Sequence, residues 1–176
     1  MKDILIVYDS KTGNTEKVAK AMAEVAGERC VLSKVQDAPS SEEFPLIAAG
    51  YWVDKGEPND SMKKYLSTLK NKKLLLFQTL GAEATGAHAL STLANTGILL
   101  DHSCKVMSAL SIRGAIDPNL IAMMRKMPPG TPHAPTVESE ARWLAASSHP
   151  DADDLAQARK FMADFLVMYD NFLKNN

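Results

Sequence analysis

A chain of 176 residues, 45% of them hydrophobic, is long enough to bury a substantial core without staples, which excludes a disordered chain and a small disulfide scaffold. A formal charge of −1 excludes the basic footprint of a nucleic-acid binder. No charged leader runs into an apolar stretch and no run of about 18 apolar residues occurs, so no integral membrane segment is expected and the expected location is cytoplasmic. The two cysteines, Cys30 and Cys104, lie far apart and read as buried free thiols of a reducing compartment.

The first element is Ile4-Leu5-Ile6-Val7, short and β-branched, as suits a strand covered on both faces. A helix is predicted over Asn14 to Ala26, because Val18, Met22 and Val25 recur at i, i+4 and i+7 and Gly27 supplies a stop. Between them lie Ser10, Lys11, Thr12, Gly13, Asn14 and Thr15. Hydroxyls, a small residue and the unpaired N–H groups of a helix start suit a phosphate, and Lys11 adds a cation. A Walker loop and a dinucleotide fingerprint both need more glycines than this segment has. The order Ser-x-Thr-Gly-x-Thr directly after the first strand resembles the phosphate loop of flavodoxins and related flavin mononucleotide (FMN) proteins. The plain alternative is a capped strand-to-helix turn, in which the hydroxyls serve only the backbone.

Further strands are predicted over Cys30 to Val35, Leu46 to Gly50, Leu74 to Leu80 and Lys105 to Ser111. Helices separate most of them. One runs from Ser61 to Leu69 with Met62, Tyr65, Leu66 and Leu69 on one side. Another runs from Ala87 to Asn95 with Leu90, Leu93 and Ala94 as its stripe and Gly97 as its stop. This alternation implies an α/β fold with a parallel sheet and right-handed crossovers. The resemblance implies a three-layer, doubly wound, flavodoxin-like fold over residues 1–176, with a five-stranded parallel sheet. Its ligand crevice would lie beside the loops after strands one, three and four.

The loop after the third strand carries Tyr51, Trp52, Val53, Asp54 and Gly56. An aromatic face covers a flat, largely apolar isoalloxazine by offset stacking, and Trp52 is the first choice over Tyr51, since neighbouring residues point in different directions. Asp54-Lys55-Gly56 reads as a turn. The resemblance implies a backbone contact to the flavin N5 near Gly56. The loop after the fourth strand brings Thr79, Leu80 and Gly81, with Gly81 and Gly86 allowing close backbone approach. It lacks the tyrosine and acidic residue that many flavodoxins carry there, which leaves the second ring face open or covered by something else. His88 either reaches the ring or sits on a solvated helix surface.

Beyond the fifth strand, residues 113–150 form an insertion that a minimal flavodoxin lacks. Asp117-Pro118 is a helix start, followed by Leu120, Ile121, Met123, Met124 and Met127 and ended by Pro128-Pro129-Gly130. Trp143 falls in a short helical segment. The insertion reads either as packing against its own sheet or as a surface for a partner, a substrate or a second subunit. A final helix starts near Asp151 and buries Leu155, Met162, Phe165, Leu166, Tyr169 and Phe172.

FMN is the cofactor that the resemblance implies, and no catalytic residue or metal cluster is read in the sequence. The loop Trp-Val-Asp-Lys-Gly and the overall length are similar to small flavodoxin-like proteins of anaerobic bacteria, among them flavodoxin-family partners of bilirubin reductase. That likeness implies electron transfer to a partner reductase. The alternative is a flavin-dependent oxidoreductase of the protoporphyrinogen dehydrogenase or NAD(P)H-quinone reductase kind.

Overall fold

In the computed structural model, which describes residues 2–131 and 134–175, the β-branched run near the N-terminus forms β1 (Ile4–Tyr8), buried along its whole length. There follow α1 (Asn14–Ala26), β2 (Cys30–Lys34), β3 (Leu46–Asp54), β4 (Glu57–Pro58), α2 (Asp60–Leu66), β5 (Lys73–Leu80) and α3 (Ala87–Ile98). The chain ends with β6 (Lys105–Arg113), α4 (Pro118–Met124), α5 (Val137–Ala146) and α6 (Ala152–Lys174).

Five strands run parallel in the order β2-β1-β3-β5-β6, and β4 adds a short antiparallel piece to the end of β3. β1 is central because both its edges pair, Ile4 standing opposite Cys30 on one side and Leu46 on the other. Alternation then divides its side chains. Ile4 and Ile6 join Val18 and Met22 of α1 and Met162 and Phe165 of α6, while Leu5 and Val7 join Ile47, Met62 and Leu66 under α2. The expected α/β, doubly wound architecture is therefore present, with β4 as one strand more than expected.

The sheet order reverses at β1, so the carboxyl ends of β1 and β3 diverge there and open a crevice. Close packing keeps this end of the sheet rigid. The Phe77 ring lies over Gly50, its register partner, so that a β-carbon on Gly50 would stand 2.0 Å from Phe77 Cζ. At the opposite end Arg29 ties the sheet to α6, donating from Nη2 to Asp3 at 2.8 Å and to Asp170 at 2.9 Å.

Several elements differ from the sequence reading: α2 ends at Leu66 instead of Leu69 and α4 at Met124 instead of running through Met127, and two further differences have a physical reason. β3 runs on to Asp54 instead of ending at Gly50, because its last residues gain a partner in β4. In α3 the buried face is Ala89, Thr92 and Thr96, while Leu90 is 65% exposed. Hydrogen bonding decided that face. Gln78, fully buried in β5, donates to Ala89 O and accepts from Thr92 Oγ1, each at 2.8 Å. A buried amide left without partners would cost about 1–3 kcal/mol, whereas a single leucine facing water on a surface helix is ordinary. α3 also passes through Gly97 to Ile98.

In the insertion, the Asp117 side chain caps α4 by accepting from Asn119 N at 2.9 Å, with Pro118 at the first helical position, as expected. Trp143 lies on α5 and is 7% exposed. Pro132 and His133, within the Pro- and Ser-rich part of the insertion, lie outside the described residues.

Candidate functional site

The loop from Ser10 to Thr15 joins β1 to α1 at the point where the sheet order reverses. Gly13 stands at the helix N-cap with φ 93°, a left-handed conformation that only glycine adopts without strain. Its N–H donates to Ser10 Oγ at 3.1 Å, which closes the loop and leaves the Ser10 hydroxyl hydrogen for another acceptor. No side chain caps α1, so the helix presents its first N–H groups and the positive end of its dipole to the crevice. Lys11, Thr12 and Asn14 line that crevice. Thr15 does not. It is 1% exposed and its hydroxyl shares a 2.8 Å hydrogen bond with that of Thr79, which fastens the loop to the end of β5.

Trp52 also lines the crevice, from a rigid support. The two residues between β3 and β4, Lys55 and Gly56, have φ of 50° and 82°, and Asp54 pairs with Glu57. This is a two-residue hairpin of the kind that needs positive φ at both turn positions. Val53, Asp54 and Lys55 contribute to the wall, and Lys11 Nζ lies 5.9 Å from the centre of the Trp52 ring.

Two further expected site residues are turned away. Tyr51 is fully buried on the opposite face of the sheet, as strand alternation requires, and its hydroxyl bonds Thr96 Oγ1 at 2.8 Å. Burial pushes its phenol up to about 12. Gly56 lies outside the crevice lining, and its carbonyl accepts from Asn95 Nδ2 on α3 at 2.9 Å, so in this conformation it does not face a ring.

Thr79, Leu80 and Gly81 form the third side of the crevice, with Ala82 and His88 beyond them. The bare α-carbon of Gly81 is approached by a side chain of the insertion, Ile116. Residues 114–117 make a strap across the crevice. Gly114 N–H donates to Leu80 O at 2.9 Å, Ala115 O accepts from Asn14 Nδ2 at 2.8 Å, and Asp117 pairs with Lys11 at 3.0 Å. A side chain at 114 would collide with Asn14, Nδ2 being 2.8 Å from the place of its β-carbon. Beyond the strap, Leu120, Met123, Met124, Met127 and Trp143 complete an apolar wall, with Arg142 beside it.

The crevice measures about 560 Å³, within the ordinary range of small-molecule sites of about 300–1,000 Å³. Its lining brings loop donors, an indole and an apolar wall to one cavity, a mixture that fits a phosphorylated planar ligand. Of the residues expected from the sequence, Lys11, Thr12, Asn14, Trp52, Val53, Asp54, Thr79, Leu80 and Gly81 line this crevice, Ser10, Gly13, Thr15, Tyr51 and Gly56 do not, and the strap has no counterpart in the sequence reading. The missing aromatic after β5 and the methionine-rich helix were the signals that something else covers that side.

The sequence showed no metal cluster, yet folding brings His149, Asp151 and Asp154 within 4.8 Å of one another. All three serve the start of α6. Asp151 accepts from Asp153 N and Asp154 N, Asp154 accepts from Asp151 N, and His149 Nδ1 bonds Asp154. This is a capping box with a histidine attached.

A parallel sheet of this order, with a glycine-turned strand-to-helix loop at its switch point, defines a doubly wound domain of the flavodoxin-like kind. The chain belongs to the flavodoxin domain family, whose profile matches residues 5–163. It is 26% identical over 168 residues to the flavodoxin-like domain-containing protein BilS of Clostridioides difficile (strain CD3), covering 93% of this chain and 96% of that protein. It is 29% identical over 175 residues to BilS of Clostridium symbiosum (strain WAL-14163), covering 89% and 92%. Among solved structures it resembles oxidised flavodoxin 2 of Bacillus cereus, with TM-score 0.58, 18% identity and coverage of 94% of this chain and 99% of that one. A flavoprotein of Lactobacillus acidophilus in complex with FMN aligns with TM-score 0.53 and 19% identity over 63% of this chain and 93% of its own. Among the described residues no helix is long and apolar enough to cross a membrane.

Proposed function

We propose that this chain binds FMN non-covalently in the crevice and passes electrons to a partner protein of the reductase class, in the cytoplasm. One observation carries the reading: the phosphate loop, the Trp52 hairpin and the Thr79–Gly81 segment converge on a single crevice at the switch point of a flavodoxin-like sheet. Ser10, Lys11, Thr12, Gly13 and Asn14 hold the phosphate, with Thr15 steadying the loop through Thr79. The ring lies between Trp52 and the segment from Thr79 to Gly81, where Val53 and Asp54 shape the edge of the wall. FMN supplies one- and two-electron redox chemistry. The chain's own part is to bind, orient and shield it. Support comes from the family, from relatives named BilS, and from the FMN complex of the Lactobacillus flavoprotein.

A second reading, a flavin-dependent oxidoreductase, is favoured by the insertion, whose Leu120, Met123, Met124 and Met127 wall the crevice as a substrate chamber would be walled. An anaerobic reductive titration of the purified protein with added FMN separates the two. A carrier stabilises the one-electron-reduced spectrum, whereas an enzyme passes directly to the two-electron form with NAD(P)H as reductant. A protein that binds no FMN overturns both.

A further inference from the structure

Building on the reading of the crevice as an FMN site, we propose that Asp117 sets how strongly the site prefers phosphorylated over unphosphorylated flavin, by competing with the phosphate for Lys11. Lys11 is the one cation within the loop Ser10–Thr15. Its ammonium lies 3.0 Å from Asp117 Oδ2, so the loop's one side-chain cation is already paired with the insertion.

The two partners are unequal in freedom. The Lys11 side chain is 59% exposed and flexible, while that of Asp117 is 14% exposed and held by its helix. The other oxygen of Asp117, Oδ1, accepts from Asn119 N as the cap of α4. Lys11 and the backbone N–H groups of Asn119 and Leu120 keep the carboxyl below the usual range, so it stays an anion. A phosphate ester near neutral pH carries about −1.5 to −2 charges. On entering the loop it meets a fixed carboxylate and a lysine already paired, and Lys11 must turn from one anion to the other. The exchange is felt along the strap, because Asn14 in the loop also donates to Ala115 O, two residues before Asp117. An unphosphorylated flavin stacking on Trp52 meets the Lys11 side chain but brings no anion to compete with Asp117 for its ammonium.

The test is the dissociation constants of FMN and riboflavin, read by flavin fluorescence, for the wild type, Asp117→Asn, Lys11→Met and the double variant. Asparagine caps helices as well as aspartate does, so Asp117→Asn removes the charge and keeps α4 started. Asp117→Asn should tighten FMN about three- to tenfold and leave riboflavin within about twofold. Lys11→Met should weaken FMN, and in the double variant the gain from Asp117→Asn should shrink, since the two substitutions act on one pair. Unchanged or weaker FMN binding in Asp117→Asn overturns the inference, as does an equal gain for riboflavin. If the wild type binds FMN and only this preference fails to move, the FMN site stands and the competition falls. A wild type that binds neither flavin removes the site itself.

Discussion

Ile116 occupies the space that a β-carbon on Gly81 would need: an atom added there would lie 2.4 Å from Ile116 Cγ1 and 2.8 Å from its Cδ1. These residues come from the ends of β5 and β6, and their contact seats the strap against the crevice. Cγ1 is next to the branch point of a β-branched side chain, so it has little room to give.

Gly81→Ala should therefore destabilise the protein by about 1–3 kcal/mol, the usual cost of overpacking, and weaken FMN binding as the strap lifts. Adding Ile116→Ala should restore part of both losses. Urea unfolding and flavin titration of the single and double variants measure this. Additive losses would mean that the two residues do not share the space.

Trp52 and Tyr51 are adjacent in sequence, the first lining the crevice and the second buried in the core on the other face of the sheet. Trp52→Ala should weaken FMN by about tenfold, the scale of one aromatic stacking interaction, and shift the flavin potential. Tyr51→Phe should leave flavin affinity unchanged and cost about 1 kcal/mol of stability, because it removes the buried bond to Thr96. Equal flavin affinities in the wild type and Trp52→Ala would take the indole off the ring.

Thr12→Asp places a carboxylate where the crevice exposes a hydroxyl beside the loop N–H groups. Loss of bound flavin is expected, with an unchanged melting curve in the flavin-free protein, since Thr12 is exposed. Wild-type flavin occupancy in this variant would put the phosphate elsewhere.

The Arg29 fork predicts a pH dependence. Hydrogen bonds from Arg29 hold the Asp3 carboxyl below its ordinary 3.8, so this pair contributes stability above that value and loses it as pH falls through the lowered folded one. Both side chains are partly exposed, so the contribution is under about 1 kcal/mol. Asp3→Asn should lower the urea midpoint at pH 7 and converge with the wild type in strong acid. A constant gap across the acid range would assign the loss to packing.

Much of the site was legible from local pattern. The bounds of α1, its stop at Gly27 and the loop before it depend on neighbours a few residues away, and there the sequence and the structure agree. That only one of Tyr51 and Trp52 faces the crevice follows from the alternation of neighbouring side chains, again a local rule. The length of β3 is not legible by such a rule, because its last residues are held by β4, a partner that only the hairpin turn creates. The face of α3 was misjudged because the leucines set the pattern while Gln78, 11 positions from Ala89 and 14 from Thr92, set the demand for hydrogen bonds.

What the sequence by itself determined is the strand–loop–helix unit from Ile4 to Ala26, the alternation of strands and helices that makes the sheet parallel, and the aromatic pair at the third strand, because each is written in periodicity, glycine position and side-chain chemistry along the chain. Only the tertiary structure decided that the insertion walls the crevice. Asn14 meets Ala115 across 101 positions and Lys11 meets Asp117 across a similar span. No period or spacing encodes such contacts. They exist because β1 and β6 end on the same side of one sheet, and the strap leaving β6 pairs its backbone and half-buries Ile116 by crossing back over the loop that leaves β1.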